Sequence, residues 1–157
     1  MNDPTVIHST FVVERTYPAA PERVFRAFAD ASKKRRWFVE SGGHQMEQYN
    51  LDFRVGGTES ARFRFKEGTP VAGLVCVNEG SFLDVVPDKR IVVSSTMTIA
   101  DRRISASLIT FELLPSESGT HVICTHQGAF FEGSDGPEMR AAGWRKLLER
   151  LGEELSR

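Results

Sequence analysis

The C-terminal stretch of residues 135–155 constrains the fold more than any other part of the sequence. Apolar residues recur there at helical spacing, which predicts one apolar face on one long helix: Trp144, Leu147, Leu148, Leu151 and Leu155. The remaining positions predict a polar face towards solvent: Arg145, Lys146, Glu149, Arg150, Glu153 and Glu154. At ~1.5 Å per residue the helix is roughly 28 Å long, about the width of a small domain. Such a helix must lie against a broad apolar surface.

The start of this helix carries two further signals. Asp135 stands three residues before Glu138, as in a capping box, and Pro137 suits the first turn of a helix. We therefore predict that Asp135 caps the helix.

The composition indicates an ordinary soluble protein with a single domain, residues 1–157, and a core between residues 6 and 156. Of the 157 residues 40% are apolar, and the net charge of −1 argues against nucleic acid as a partner. No apolar run approaches the ~20 residues that span a membrane, and residues 1–4 lack the features of a signal peptide. Cys76 and Cys124 are isolated, which predicts buried reduced thiols and a cytoplasmic protein.

Most of the remaining chain has the residue pattern of strands. We predict strands at residues 6–17, 45–55, 58–66, 71–86, 90–99, 104–114 and 120–130. Two short helices follow the first strand. The first covers residues 21–29, and the second, capped by Asp30 or Ser32, runs towards Phe38.

Turn signals separate these strands. Gly56-Gly57 predicts a two-residue hairpin turn, because such turns need positive φ. Residues 41–43 and 67–70 predict loops, and residues 78–80 predict a bulge where a curved sheet would bend. Consecutive hairpins predict an α+β fold. In it a curved antiparallel sheet of about seven strands wraps around the long helix, with the helices on its concave face.

Charged residues outside the last helix predict surface roles. The basic run at residues 33–36 complements the end of the second helix, so we predict a solvated helix end. The alternative is contact with an anion or a protein partner. Glu59 is predicted to be an ordinary strand carboxylate.

Two motifs together resemble those of one known family, and weaker matches accompany them over residues 8–156. The specific pair is Asp52-Phe53-Arg54-Val55-Gly56-Gly57 at the hairpin and Gly143-Trp144 in the last helix. The weaker matches include residues 20–28, Arg36-Trp37-Phe38, Gly80-Ser81-Phe82 and Gly119-Thr120. On these residues the chain resembles the START-like (SRPBCC) superfamily. Within it, the chain is similar to the bacterial single-domain form of the activator of the heat-shock-protein-90 ATPase.

The resemblance implies the helix-grip fold, also known from birch-pollen allergen, with a cavity between the sheet and the long helix. Family members often have Gly-Pro where this chain has Val39-Glu40, which predicts a different loop at the cavity rim. The competing interpretation of the apolar residues facing this space is plain hydrophobic core. The residues predicted to line the cavity are Phe25, Phe28, Trp37, Phe38, Phe53, Phe63, Phe82, Met97, Phe111, His126, Phe130, Met139, Gly143, Trp144 and Leu147.

Three positions raise specific questions. Gly143 costs the helix ~1 kcal/mol relative to alanine, so we predict that the sheet packs closely against it, or else that a ligand does. His126 lies on the inner face of the last strand by alternation and is predicted to be either a core histidine or a general base. His44 is a second candidate base. No metal or other cofactor is predicted, since no histidines have ligand spacing.

These observations leave three functions open. The first is non-enzymatic binding of a small apolar or amphipathic molecule. The second is a cyclase or hydratase that uses His126 or His44 for proton transfer. The third is a protein-interaction module, for example a chaperone cofactor that uses the basic run at 33–36. We also expect a homodimer, as many small domains form two-fold dimers.

Overall fold

The computed structural model describes residues 5–40, 44–68 and 70–157. The predictions for residues 1–4, for the loop at 41–43 and for turn position Thr69 lie outside these residues. The described elements are β1 (Ile7–Tyr17), α1 (Pro21–Ala29), α2 (Ala31–Phe38), β2 (His44–Leu51), β3 (Thr58–Phe65), β4 (Val75–Val86), β5 (Arg90–Ile99), β6 (Arg102–Ser116), β7 (Gly119–Phe130) and α3 (Pro137–Leu155).

The strands form one antiparallel sheet in the order β1-β7-β6-β5-β4-β3-β2. From β2 to β7 each strand pairs with its neighbour in the chain, as hairpin connections require. β1 returns to the far edge and pairs with β7, so that Val13 lies opposite Cys124. The curved sheet holds α3, while α2 packs against α3 and α1 against α2. This arrangement confirms the predicted α+β helix-grip fold.

The apolar face of α3 is buried as the sequence predicts. Leu148 and Leu151 are completely buried, and full burial of one leucine contributes ~1.5–3 kcal/mol. The hydroxyl of Tyr17 in β1 donates a hydrogen bond of 2.6 Å to the backbone carbonyl of Leu148, which fixes α3 against the sheet. None of the helices in the described part of the chain combines the length and the apolar composition needed to cross a bilayer.

The predicted two-residue turn at Gly56-Gly57 is wrong. Residues 52–57 form a longer connection between β2 and β3. Gly56 does have a positive φ of 84°, but its N–H donates to the carbonyl of Phe82 in β4, and the N–H of Phe82 donates to the carbonyl of Gly57. The connection therefore extends the sheet along β4. A side chain at Gly57 would collide with the carbonyl oxygen of Asp52.

The bounds of β4 also differ from the prediction. The strand begins at Val75 rather than at residue 71, because residues 70–73 form a turn. The bulge predicted at residues 78–80 lies instead between Phe82 and Asp84. This is the point where β4 also receives the 52–57 connection.

Asp135 does not cap α3, so the predicted capping box is wrong. Gly136 occupies the N-cap position and no side chain caps the helix. The carboxylate of Asp135 instead accepts two hydrogen bonds of 2.8 Å from the guanidinium of Arg140. A bidentate charge-assisted pair is stronger than a hydrogen bond to one backbone N–H, which explains why Asp135 pairs with Arg140 instead of capping the helix.

Candidate functional site

An open cleft lies between α3 and strands β2 to β5, beside the first half of α3. Its volume is about 330 Å³, at the lower end of the ~300–1,000 Å³ typical of small-molecule sites. Its apolar walls comprise Phe38, Val39, Ala61, Phe63, Phe65, Cys76, Met97, Met139, Trp144 and Leu147. Its polar lining comprises His44, Asn78, Asp135, Arg140, Lys146 and Arg150.

Two residues of α3 that line the cleft are exposed, Met139 and Gly143. Met139 lines it and is 67% exposed. Gly143 also lines it, and an added Cβ there would meet no atom of the described residues within 4 Å outside its own helix and chain neighbours. The predicted close packing of the sheet against Gly143 is therefore wrong. The missing side chain leaves space in the cleft instead.

Replacing Gly143 with alanine is expected to stabilise the protein by ~1 kcal/mol, because alanine is the better helix former and the space for its methyl group is free. For a domain of this size the midpoint of thermal unfolding should rise by about 2–4 °C. The matched control is Gly152→Ala on the same helix. A Cβ there would lie 3.3 Å from the Tyr17 ring, so its gain should be smaller. If Gly143→Ala were no more stable than the wild type, the space beside residue 143 would not be free for a methyl group.

Two cations stand at the mouth of the cleft. Lys146 and Arg150 lie one helical turn apart on α3, beside the buried leucines. Across from them, the ring of His44 in β2 lies 4.5 Å from the Phe63 ring, measured between centroids. Burial, followed by the positive charges of Arg150 and Lys66, lowers the pKa of His44. Part of the polar face of α3 therefore contributes to the site rather than only to the solvated surface.

A second, enclosed cavity of about 30 Å³ lies deeper in the domain. Phe38, Asn78 and Trp144 line both spaces and separate one from the other. The deeper cavity has room for no more than a few water molecules. Of these two spaces, the open cleft is the one large enough to receive a ligand.

A buried ion pair borders the enclosed cavity. The ammonium of Lys34 donates to the carboxylate of Glu59 at 2.8 Å, and the two side chains are 5% and 10% exposed. The hydroxyl of Tyr49 donates to the same carboxylate at 2.5 Å, and the ammonium lies 4.4 Å from the centroid of the Phe38 ring. Burial, followed by the Glu59 carboxylate, raises the pKa of Tyr49, so the phenol stays protonated.

The basic run at residues 33–36 is not simply a solvated helix end. Asp30 caps α2 through the backbone N–H of Lys33, as one of the two alternatives predicted. Lys34, however, is buried, and Arg36 donates two hydrogen bonds of 2.8 Å to Glu154. Glu154, predicted to face solvent, is itself buried.

The prediction for Glu59 is also wrong, although the sequence contained the signal. Side chains two residues apart on a strand share a face. Glu59 therefore shares the inner face of β3 with Ala61, which is buried, and with Phe63, which lines the cleft. A carboxylate on that face requires a buried cation, and Lys34 supplies it.

Arg140 occupies the inner end of the cleft. Its guanidinium pairs with Asp135, donates a hydrogen bond of 3.0 Å to the hydroxyl of Ser105 and lies 5.2 Å from the centroid of the Phe130 ring. Burial opposes ionisation of Asp135, but the hydrogen bonds and charge of Arg140 outweigh it and lower the pKa of Asp135. The pair is therefore neutral as a unit.

His126 faces inward, as alternation predicts, but lines neither cavity. His126 is only 1% exposed, and its ring stacks on the Phe11 ring with 4.5 Å between the centroids. Its Nδ1 has no hydrogen-bond partner within the described residues. Burial, followed by the charge of Arg140, lowers the pKa of His126 to about 4. The imidazole is therefore neutral near pH 7.

His126 is expected to make the folded state less stable as the pH falls from 6.5 to about 4. The unfolded chain binds a proton at the ordinary pKa of 6.5, whereas the folded chain resists it down to about 4. The contribution of neutral His126 to the free energy of unfolding is thus fully present above pH 6.5. About 3 kcal/mol of it is lost as the pH falls from 6.5 to about 4. Urea unfolding at a series of pH values measures it.

The matched variant is His126→Phe, which keeps a ring in the stack and removes the titrating group. The difference in unfolding free energy between wild type and variant should change across pH 6.5 to 4 and be flat above it. Parallel curves would show that His126 is not held neutral by the fold.

The structure divides the predicted cavity residues into three groups. Those that line the open cleft are Phe38, Phe63, Met97, Met139, Gly143, Trp144 and Leu147. Those that line only the enclosed cavity are Phe28, Phe53, Phe82 and Phe111. Those that line neither space are Phe25, Trp37, His126 and Phe130.

The charged part of the cleft was not among the predicted site residues. Met139, Gly143, Lys146 and Arg150 follow one another at steps of four, three and four residues, which is the spacing of one helical face. That face lies next to the leucine stripe, and reading it as a second stripe would have placed both cations in the site. The predicted rim position Val39 is buried and contributes to the wall.

A curved antiparallel sheet that grips a C-terminal helix, with a cleft between them, defines a START-like helix-grip domain. The family model of the Activator of Hsp90 ATPase homolog 1-like proteins matches residues 18–156. The chain therefore belongs to this family.

Solved structures of bacterial proteins have the same fold. The Mll3558 protein of Rhizobium loti is 48% identical, with 96% of this chain and 99% of that chain covered and a TM-score of 0.84. An uncharacterized protein of Rhizobium leguminosarum is 34% identical, with 96% of each chain covered and a TM-score of 0.89. Protein CV1439 of Chromobacterium violaceum is 27% identical, with 92% and 95% covered and a TM-score of 0.74. No curated protein matches this chain.

Proposed function

We propose that this protein binds a small apolar or amphipathic molecule in the open cleft and catalyses no reaction on it. The observation that carries the proposal is the cleft volume of about 330 Å³ beside α3. This volume lies within the ~300–1,000 Å³ range of small-molecule sites, and the lining is mostly apolar with a few polar side chains, as is typical of such sites.

Two features of α3 support the proposal. Gly143 weakens the helix although a side chain there would meet no atom of the sheet within 4 Å, which is understandable if its role is to leave room for a ligand. Met139 is largely exposed on the wall of the cleft, and methionine is a flexible side chain that adapts to different apolar surfaces.

The alternative of a cyclase or hydratase has weaker support. A general base must reach its substrate, and His126 is buried away from the cleft with a pKa of about 4. His44 does line the cleft, but its ring packs against Phe63 and Phe65 and its pKa is lowered. Burial raises the pKa of the Cys76 thiol to about 12, so this cleft residue is a poor nucleophile.

A second candidate function is contact with an acidic protein partner. A basic pocket of about 160 Å³ between α1, α2 and the end of α3 favours it, lined by Arg23, Arg26, Ala27, Lys33, Arg36, Glu154, Leu155 and Arg157. Arg36 is paired with Glu154 and Arg23 donates to backbone carbonyls at Leu155 and Arg157. Reversing the charges of Arg26 and Lys33 should then abolish salt-sensitive binding of a glutamate-rich peptide.

Native mass spectrometry of the purified protein, combined with titration of the neutral apolar dye Nile red, tests the binding function. We expect a bound mass that is lost on denaturation, and Nile red fluorescence that rises on addition of protein. Gly143→Leu should weaken both signals, because the added side chain occupies part of the cleft.

Ala142→Leu is the matched control for this experiment. It adds the same side chain to the neighbouring exposed position, which does not line the cleft, so dye binding should persist. Absence of both bound mass and dye binding in the wild type would contradict the proposed function. Equal dye binding by Gly143→Leu and wild type would move the site elsewhere.

A further inference from the structure

We propose that the ligand of the cleft is an anionic amphiphile, whose single carboxylate or phosphate group is held by Lys146 and Arg150 while its apolar chain lies along the aromatic wall. This inference rests on the proposed binding function and specifies its ligand class. The structural observation behind it is the position of two cations at the mouth of an apolar cleft.

Among the residues that the structure describes, neither cation has an ion-pair partner that would neutralise it. The ion pairs formed among residues 5–40, 44–68 and 70–157 include neither Lys146 nor Arg150. Arg150 is partly buried, so its charge is less screened by water than that of a fully exposed residue. A bound anion would provide the missing counter-charge.

The other charged groups of the cleft do not offset this positive field. Asp135 is the acidic residue among those that line it, and its carboxylate is already bonded to Arg140 at 2.8 Å. The remaining charge on the cleft lining is therefore that of Lys146 and Arg150. Arg150 lies near enough to His44, on the opposite wall of the cleft, that its charge adds to the effect of burial in lowering the pKa of His44.

The spacing of the two cations suits one head group. Residues four apart on a helix have their Cβ atoms ~5–6 Å apart, so two long side chains can converge on a single anion. The guanidinium of Arg150 offers two parallel donors that match a carboxylate or a phosphate, and Lys146 adds a point charge. Leu147, between them in the chain, lines the apolar part of the cleft. Head group and chain would thus be recognised by adjacent residues of α3.

Displacement of Nile red by four amphiphiles with the same chain, each below its micelle concentration, tests this inference. The probes are dodecanoate, dodecyl phosphate, dodecanol and dodecylamine. We expect dodecanoate or dodecyl phosphate to compete roughly tenfold better than dodecanol, a ratio typical of one charge-assisted contact, and dodecylamine to compete worst. The ratio should decrease with added salt. The better of the two anions identifies the head group.

Charge-removing variants locate the contact. Lys146→Gln with Arg150→Gln should remove the preference for the anion, so that dodecanoate and dodecyl phosphate compete no better than dodecanol against the same variant. Arg145→Gln removes the same type of charge from a neighbouring position of α3 that does not line the cleft, and should keep the full preference.

The possible failures are distinguishable. Equal competition by dodecanol and both anions in the wild type would overturn this inference and leave the binding function intact. An anion preference that survives in Lys146→Gln with Arg150→Gln would overturn it as well. Failure of the wild type to bind Nile red or any of the four amphiphiles would remove the binding function and this inference together.

Discussion

Replacing Lys34 with methionine is expected to lower the free energy of unfolding by ~3–5 kcal/mol, the usual cost of removing one partner from a buried ion pair. Methionine approximately preserves the volume and apolar stem of lysine, so the loss would come from the Glu59 carboxylate. That carboxylate would remain buried with the hydrogen bond from Tyr49 as its contact. Urea unfolding at neutral pH, with the slope of the transition checked for constancy, measures the effect.

Two comparisons decide whether the buried charge is the cause. Arg35→Met breaks a surface pair with Glu40, whose side chains are 48% and 41% exposed, and should cost under ~1 kcal/mol. Lys34→Met combined with Glu59→Gln removes both charges and should recover a large part of the loss. If Lys34→Met were as stable as Arg35→Met, the buried pair would not contribute the expected stability. If the double variant were no more stable than Lys34→Met alone, the unpaired Glu59 charge would not be the cause of the loss.

Replacing Trp144 with alanine should cost ~3–5 kcal/mol, as large-to-small changes in a core do. Trp144 is 7% exposed, and its ring lies 5.6 Å from the Phe111 ring and 6.0 Å from the Phe38 ring between centroids. Because Trp144 lines both the open cleft and the enclosed cavity, its removal would join the two spaces. Chemical unfolding gives the cost, and Nile red binding reports the enlarged cleft.

Arg145→Ala, at the next position of α3 on its exposed side, is the control for Trp144→Ala. A surface change of this kind is usually within ~0.5 kcal/mol of the wild type. If Trp144→Ala were as stable as Arg145→Ala, the indole would not contribute to the core in the way that its burial indicates.

The element order and the fold class could be predicted from the sequence because they depend on local patterns. The leucine spacing of α3, the alternation in β6 and β7, and Pro21 at the start of α1 each specify one element through short-range geometry. The α1 bounds of residues 21–29 and the β5 bounds of residues 90–99 were predicted correctly. The resemblance then identified the family, which the match over residues 18–156 confirms.

Polar partners over long sequence distances could not be predicted in the same way. Lys34 and Glu59 are 25 residues apart, and Arg36 and Glu154 are 118 apart. Arg36 and Glu154 also fit a solvated surface when each segment is considered alone, and the inner-face position of Glu59 in β3 does not identify Lys34 as its partner. Asp135 likewise had a plausible local role as a helix cap, but in the structure it forms a stronger bond with Arg140 instead.

The sequence by itself determined that this chain folds as a sheet around an amphipathic helix, because periodicity is a property of consecutive residues. Only the tertiary structure decided where that packing leaves space. Three features of the site depend on surfaces from distant segments. They are the free space beside Gly143, the separation of the two cavities by Phe38 and Trp144, and the position of Lys146 and Arg150 at the open cleft. A cavity is the volume that several elements fail to fill together, so no single stretch of sequence contains it.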